Sequence, residues 1–143
     1  MIKAVRHTGI VVRDLEKSVD FYTALGFVEN NRAIEEGDFI DTVVGFQNTI
    51  LEWVKLKAPD GYLLELLQYR SHPEKKEIAK QMSNKLGCSH LAFSVNDIDL
   101  TCRKIKEIDG SVLNPPALTN DKKIKVAYCH DNEGNLLEIV EIL

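Results

Sequence analysis

The sequence lacks the features that mark secreted and membrane-spanning proteins. Its three cysteines are odd in number and form no C-x-x-C pair, which argues against a disulfide framework or a structural zinc site. No apolar run reaches the roughly 20 residues that a membrane-spanning helix needs, and the first residues show no signal-peptide pattern. We therefore predict a cytoplasmic protein with no membrane partner.

Concentrated positive charge is also missing. The chain has 18 basic and 22 acidic residues, a net charge of −4, and no basic patch. This balance argues against nucleic acid as a partner and favours a small-molecule substrate. With 143 residues, 44% of them hydrophobic, the chain can bury the core of one domain or of two small modules.

Two stretches of the sequence repeat one pattern, an acid-glycine turn followed by an apolar run with one carboxylate inside it. The first run contains Glu65 and the second contains Glu138. Apolar runs of this length between turn signals predict buried strands. A carboxylate in a buried strand needs a cation, a metal or a hydrogen-bond donor, because desolvating it alone is costly.

The repeat extends to the N-terminal side of each run. The segment that starts at His7 aligns without a gap with the segment that starts at His90, and each is followed by a predicted helix. We predict an α+β fold of two βαβββ modules that form a curved mixed sheet around one metal-binding cavity. The predicted organisation is one compact domain with three parts: a first module over 1–69, a linker helix over 70–86 and a second module over 87–143.

Local signals place the helices. Asp14 is the predicted N-cap of the first helix, and Asn96 or Asp97 caps the second; Gly26 and Gly110 end them. The linker helix is predicted from an apolar stripe of Ile78, Met82 and Leu86 at helical spacing. His72 and Pro73 mark its start. Residues 35–48 have no clean period and predict a loop or a short helix that closes over a site.

The matched positions suggest a metal site. Two imidazoles and two carboxylates, from His7, Glu65, His90 and Glu138, form a nitrogen and oxygen set that suits Zn, Ni, Co, Mn or Fe(II). Two glutamates balance the charge of one divalent cation, and four ligands leave two places open for water or substrate. Taken singly, each histidine is more simply a hydrogen-bonded structural residue, and each glutamate an edge-strand carboxylate that faces water.

Four motifs together resemble the vicinal oxygen chelate superfamily over nearly the whole chain. They are His-Thr-Gly-Ile-Val-Val-x-Asp-Leu, Phe-Tyr-x-x-Leu-Gly-Phe, Ser-His-Leu-Ala-Phe-x-Val-x-Asp-Ile and Asp-x-x-Gly-x-x-Leu-Glu-Ile. The family includes glyoxalase I, methylmalonyl-CoA epimerase, extradiol dioxygenases, and fosfomycin-resistance and bleomycin-binding proteins. The resemblance implies that His7, Glu65, His90 and Glu138 hold one metal, and that substrate binds through two neighbouring oxygens.

The ligand set is similar to that of glyoxalase I, a lyase. The resemblance implies proton transfer between adjacent carbons of a small carbonyl or thioester through an enediolate or enolate, with Glu65 or Glu138 as the base. Val11 and Tyr69 stand where glyoxalase I has an arginine and an asparagine that hold glutathione. An epimerase-like isomerase is the alternative, although such enzymes usually carry glutamine at the position of Glu65.

A function of another class is also open. Antibiotic-binding members of the family use the same fold without a metal, so a small-molecule-binding module is the competing interpretation. The remaining candidate residues have simple structural expectations: His72 on the surface, His130 without a matched partner and Cys88 as a small buried thiol. The resemblance implies that the two modules pair either within one chain or by exchange between two chains, and we expect a homodimer.

Overall fold

The computed structural model describes residues 1–76 and 79–143. The chain divides into two compact units, residues 1–76 and residues 77–143, and the division falls inside the segment that was predicted to link two modules. In the described part of the chain, no helix is long and apolar enough to cross a membrane. Each unit contains a sheet and a helix packed against it.

The first unit, which we call unit 1, has a four-stranded mixed sheet and two helices. Its strands stand in the order β1-β4-β3-β2, with β1 parallel to β4 and the other pairs antiparallel. In chain order the elements are β1 (Thr8–Val11), α1 (Leu15–Ala24), β2 (Val28–Glu36), α2 (Asp38–Val44), β3 (Ile50–Lys57) and β4 (Leu63–Tyr69).

Helix α1 covers one face of this sheet. Asp14 caps it as predicted, since its carboxylate accepts a hydrogen bond from the Lys17 N–H at 3.1 Å. The helix contacts β3 and β4, where one set of alternate side chains is buried. Those strand residues are Val54, Leu56, Leu64 and Leu66. Because side chains alternate along a strand, the other alternate set, which includes Glu65, points to the opposite face.

Residues 35–48 contain the short helix that was one of the two predicted structures. Helix α2 ends at Gly45, which has a left-handed backbone (φ 77°). The Asp41 carboxylate accepts hydrogen bonds from the N–H groups of Asn48 and Thr49, at 2.8 and 2.7 Å. These bonds lower the pKa of Asp41, and the one from Thr49 has the largest effect. They also connect α2 to the residues just before β3.

The second unit, unit 2, repeats this plan with shorter outer strands. Its main strands stand in the order β5-β9-β8-β6, β7 pairs with β8, and β5 is parallel to β9. The short β6 and β7 flank Pro115 and Pro116, because proline cannot donate to a strand ladder. The elements are β5 (Leu91–Ser94), α3 (Ile98–Glu107), β6 (Ser111–Val112), β7 (Ala117–Leu118), β8 (Ile124–His130) and β9 (Leu136–Ile142).

Helix α3 covers one face of the second sheet. Asp97, rather than Asn96, is its N-cap and accepts a hydrogen bond from the Leu100 N–H at 2.8 Å. Ile98, Cys102 and Ile105 of the helix are buried, as are alternate residues of β8 and β9. Those strand residues are Ala127, Cys129, Leu137 and Ile139. Glu138 therefore lies on the face away from α3, as Glu65 lies on the face away from α1.

The predicted linker helix over 70–86 is wrong for the described residues of that segment, which form turns and bends. Ile78 lies outside the described residues. The other two residues of the apolar stripe stay in solvent, with Met82 67% exposed and Leu86 95% exposed. Most of the stability of a helix in a protein comes from packing of an apolar face, and the two described residues of this stripe bury little.

The α+β prediction is confirmed, with two mixed sheets in place of the single curved sheet that was expected. Two details depart from a strict βαβββ pattern. Unit 1 inserts α2 between its second and third strands, and unit 2 divides the corresponding outer strand into β6 and β7.

Candidate functional site

The structure brings His7 and Glu65 together in unit 1. His7 directly precedes β1, and the parallel register places Gly9 beside Glu65. His7 has the same strand parity as Gly9, so its imidazole falls on the Glu65 side of the sheet. The His7 Nε2 atom lies 3.0 Å from the Glu65 Oε2 atom, with side chains 27% and 13% exposed.

A glycine lies next to this pair and leaves room for the side chains around it. A Cβ atom added at Gly9 would lie 3.2 Å from Leu67 Cδ1 and 3.9 Å from Glu65 Oε2. The first distance is tighter than ordinary carbon contact, so a larger residue would press on the side chains that flank the pair. Gly9 thus leaves room for the Leu67 side chain next to the pair of His7 and Glu65.

Lys55 is a third member of this group, and the sequence analysis did not identify it. It stands directly across from Glu65 in the antiparallel pair of β3 and β4, so both side chains point to the same face. The Lys55 Nζ atom is 3.2 Å from Glu65 Oε1 and 4.3 Å from the centre of the Trp53 ring. Alternation along β3 puts Lys55 and Trp53 on one face, but only the strand register reveals Glu65 as the partner.

Unit 2 contains the matching pair. His90 directly precedes β5, and Ala92 pairs in register with Glu138. The His90 Nε2 atom lies 3.3 Å from Glu138 Oε2, with side chains 31% and 25% exposed. The residue across from Glu138 is Tyr128, whose ring centre is 5.4 Å from that of His90. In the described part of the chain, no lysine or arginine forms an ion pair with Glu138.

The two histidines differ at their other ring nitrogen. His90 Nδ1 lies 3.2 Å from the Ser89 hydroxyl oxygen, which can fix the ring orientation. His7 Nδ1 is buried and has no hydrogen-bond partner among the described residues. A buried polar atom without a partner costs about 1–3 kcal/mol. Because only Nε2 has a partner among the described residues, the imidazole of His7 is held in place from one side only.

The donor atoms of each pair suit a divalent metal. Two ligands about 2.1 Å from one ion lie about 3.0 Å apart at a right angle and about 3.4 Å apart at a tetrahedral angle. The separations of 3.0 Å in unit 1 and 3.3 Å in unit 2 fall in this range, although a direct hydrogen bond also explains them. Each pair supplies two ligands, and no cluster of three candidate ligands occurs among the described residues.

The other histidines are structural. His72 is exposed as expected, and its ring stacks on Phe46 at 4.9 Å, although it begins no helix. His130 is buried: its Nε2 lies 2.9 Å from the Gln81 carbonyl oxygen and its Nδ1 lies 3.2 Å from the Ser111 hydroxyl. These partners satisfy both ring nitrogens of His130.

The cysteines lie apart from both pairs. Cys88 is exposed, so the expectation of a buried thiol there is wrong. Cys102 of α3 and Cys129 of β8 are buried in the core of unit 2. Burial raises the pKa of both thiols, that of Cys129 to about 12. Thiols of this kind are poor nucleophiles and poor metal ligands at neutral pH.

The chain is similar to known proteins in both sequence and fold. Among curated proteins, a probable lactoylglutathione lyase of Synechocystis is 27% identical over 94% of this chain and 92% of its own length. A lactoylglutathione lyase of Schizosaccharomyces pombe is 28% identical over 95% of this chain, which spans 46% of that longer protein.

Solved structures agree in fold. A glyoxalase family protein from Bacillus cereus superposes with a TM-score of 0.91 at 23% identity, covering 100% of this chain and 96% of its own. A fosfomycin resistance protein from Listeria monocytogenes, in complex with Mn(II) and sulfate, has a TM-score of 0.64 at 16% identity, with coverage of 100% and 95%. The family model of the Glyoxalase/Bleomycin resistance protein/Dioxygenase superfamily matches residues 4–139. The chain therefore belongs to the Glyoxalase/Bleomycin resistance protein/Dioxygenase superfamily.

Proposed function

We propose that the protein is a glyoxalase-like lyase or isomerase that depends on a divalent metal and acts on a small carbonyl or thioester substrate. The observation that carries the proposal is the matched pair of contacts, His7 with Glu65 and His90 with Glu138, at the same positions of two repeated units. Two separate glutamates that each meet a histidine at corresponding registers are hard to explain as independent structural contacts.

We propose that these four side chains hold one cation, which is Ni, Zn, Co, Mn or Fe by the chemistry of the donors. Such an ion, when bound, supplies Lewis-acid polarisation of a substrate carbonyl oxygen. The two glutamate charges compensate a divalent cation, so its presence removes the cost of keeping the carboxylates half-buried. The four ligands come either from one chain or from two copies, and mixing of variant chains distinguishes these two arrangements.

The proton in this reaction moves through a glutamate carboxylate, and we assign that role to Glu138. Its oxygen takes a proton from the carbon beside the carbonyl group and returns it to the neighbouring carbon. Glu65 is less suited, because His7 and Lys55 engage its two oxygens, at 3.0 and 3.2 Å. Glu138 contacts His90 alone among charged partners in the described residues, so it can swing toward substrate.

The relatives named lactoylglutathione lyase support the reaction class, and the residues near Glu65 argue for a different substrate. Val11 is 55% exposed, and Tyr69 packs edge-on against Phe46 at 6.1 Å. These two side chains offer no positive charge to a glutathione carboxylate. We therefore propose a substrate other than the glutathione hemithioacetal of methylglyoxal, with an epimerase-like isomerase reaction as the nearest alternative.

The first experiment is elemental analysis of protein purified without chelator. The proposal predicts about one divalent metal ion per chain, lost when His7 or His90 is replaced by alanine. The second experiment follows deuterium uptake at carbon in heavy water, with methylmalonyl-CoA and the methylglyoxal hemithioacetal as substrates. Metal-free protein that stays metal-free after incubation with each of the five ions would disprove the metalloenzyme.

One observation favours a second candidate, a metal-free binding module. The ion pair of Lys55 with Glu65 balances the charge of that carboxylate without any metal. A protein of this kind would bind a small molecule equally well before and after treatment with chelator. The comparison of ligand binding in the two states decides between the candidates.

We further propose that the protein is a cytoplasmic homodimer that binds no nucleic acid. The three free cysteines suit a reducing compartment, and the net charge of −4 disfavours nucleic acid. Light scattering after size-exclusion chromatography measures the mass directly, and a single species of about twice 16.2 kDa is expected. Mixing Glu65→Gln and Glu138→Gln chains then tests shared sites, since restored metal binding requires ligands from two copies.

A further inference from the structure

Lys55 occupies an unusual place for a lysine. Its side chain is 21% exposed, and that of Glu65 is 13% exposed, so both charges of this ion pair are largely withdrawn from water. The indole ring of Trp53 lies against the ammonium group on another side, at 4.3 Å. In the described part of the chain, Glu65 is the only carboxylate that forms an ion pair with Lys55.

Metal binding would change this balance. A divalent cation at Glu65 takes over the carboxylate charge that now compensates the ammonium group. Lys55 would then be a largely buried cation beside a second cation, an arrangement that is unfavourable unless an anion joins it. The loaded site therefore needs a negative group next to Lys55, and the proposed substrate is the molecule that can bring one.

The surface on the side of Lys55 that leads to Leu67 is apolar, whereas Asn31 of β2 stands in register with Lys55 on its other side. In register with Leu67 stand Trp53 on one neighbouring strand and Val11 on the other. These three side chains share a face with Lys55 and Glu65, and Val11 is 55% exposed. A ligand whose anionic group reaches Lys55 would lay its remaining atoms on this apolar row, which suits hydrocarbon better than a peptide.

Unit 2 lacks this arrangement. Tyr128, a neutral side chain, stands across from Glu138 where Lys55 stands across from Glu65. The positive charge is thus specific to unit 1 and is not required by the repeated architecture.

We propose that Lys55 is the anion-binding residue of the site, and that it couples divalent-metal binding at Glu65 to the binding of a small organic anion with an apolar body. The inference rests on the proposed metal site and adds the class of its substrate. Coupling between two ligands is reciprocal, so the anion tightens metal binding by the same factor as metal tightens anion binding.

The experiment measures Mn²⁺ affinity through the electron paramagnetic resonance signal of the free ion, with and without a saturating anion. The probe is 3-phenylpropanoate, which has an anionic and an apolar part. Propanoate keeps only the charge, and 3-phenylpropan-1-ol keeps only the apolar part. We expect 3-phenylpropanoate to tighten Mn²⁺ binding about 10-fold and the two partial probes to change it less than about 2-fold.

The decisive variant is Lys55→Met, which keeps an apolar stem without the charge. It should bind Mn²⁺ more tightly than the wild type in the absence of anion, and 3-phenylpropanoate should have no effect on it. Lys17→Met is the matched control, because it removes an ion-paired lysine of the same unit whose partner, Asp14, lies 3.7 Å away on the helix side. That variant should retain the full coupling. Circular dichroism and thermal melting verify that both variants fold.

Four results would overturn the inference. Coupling that survives in Lys55→Met would mean that the anion contacts the metal and not the lysine. Equal coupling by propanoate would remove the role of the apolar row, and loss of coupling in Lys17→Met would reduce the effect to general charge. Mn²⁺ binding without any coupling overturns the inference and leaves the metal site intact, whereas failure of wild-type protein to bind Mn²⁺, Ni²⁺ or Zn²⁺ removes the proposed function itself.

Discussion

The two units share a scaffold but surround their glutamates differently. In both, a histidine directly before a parallel strand meets a glutamate on its neighbour, at 3.0 Å in unit 1 and 3.3 Å in unit 2. In unit 1 the glutamate also meets Lys55, while in unit 2 it stands across from Tyr128. The difference suggests a division of roles, with a fixed carboxylate in unit 1 and a movable one in unit 2.

The helix ends differ in a similar way. Gly26 and Gly110 both follow a helix and carry the same sequence signal. Gly26 has a left-handed backbone (φ 106°) with open space around it. At Gly110 the left-handed residue is its neighbour Asp109 (φ 67°), and an added Cβ would lie 2.6 Å from Ile105 Cγ2 and 2.7 Å from the His130 carbonyl oxygen. Gly26 is favoured by its left-handed backbone conformation, and Gly110 is favoured because a side chain there would clash with its neighbours.

The largest expected effect separates the two glutamates. Glu138→Gln should lower the rate of proton exchange by about 10²–10⁴-fold, because it removes the group that we propose as the carrier of the proton. Glu65→Gln should act mainly through metal affinity and recover part of its rate at high metal concentration. Deuterium incorporation at carbon, measured with saturating metal, gives both rates. Equal losses that no metal concentration repairs in either variant would refute the division of roles.

Loss of either histidine should weaken metal binding by about 100-fold or more, since even the groups that orient ligands contribute 10–100-fold. His7→Ala and His90→Ala test this by competition with a fluorescent chelator. Ser89→Ala sharpens the comparison: it should cost about 10-fold, because of His7 and His90 only His90 has a hydroxyl at its Nδ1 among the described residues. His72→Ala, in an exposed ring outside both pairs, is the control and should leave affinity unchanged.

The glycines provide a comparison in stability. Gly110→Ala should lower the free energy of unfolding by about 3 kcal/mol, since its new methyl group meets backbone atoms that cannot move aside. Gly26→Ala should cost only about 1–2 kcal/mol, the penalty of a left-handed residue with a Cβ atom. Urea denaturation measures both. A larger loss at Gly26 would show that backbone conformation outweighs close packing here.

The smallest expected effect concerns the two N-caps, where the units are most alike. Asp14 and Asp97 each accept a hydrogen bond from the N–H three residues ahead, at 3.1 and 2.8 Å. Replacing either with alanine should lower the free energy of unfolding by about 1 kcal/mol. The corresponding asparagine variants, which retain a capping oxygen, should lose much less. A twofold difference between the units would show that tertiary contacts modify an otherwise local signal.

Several parts of the fold could be predicted because the physics is local. The caps at Asp14 and Asp97, the helix periods and the alternation around Glu65 and Glu138 each depend on neighbours within a few residues. The prediction of a linker helix over 70–86 was wrong because helix stability depends on tertiary packing, which is not local. The described apolar residues of that segment stay exposed to solvent. Cys88 failed as well, because burial is a property of the assembled surface.

The sequence by itself determined the repeated architecture, the fold class and the histidine and glutamate that each unit contributes, because periodicity and repetition are written along the chain. The tertiary structure alone decided that Lys55 faces Glu65, that His7 Nδ1 has no hydrogen-bond partner among the described residues and that Gly110 lies against the carbonyl of His130. The second depends on which atoms surround the imidazole of His7. The first and the third are contacts between residues 10 and 20 positions apart in sequence. They depend on the strand register and on the docking of a helix against its sheet, which no local signal specifies.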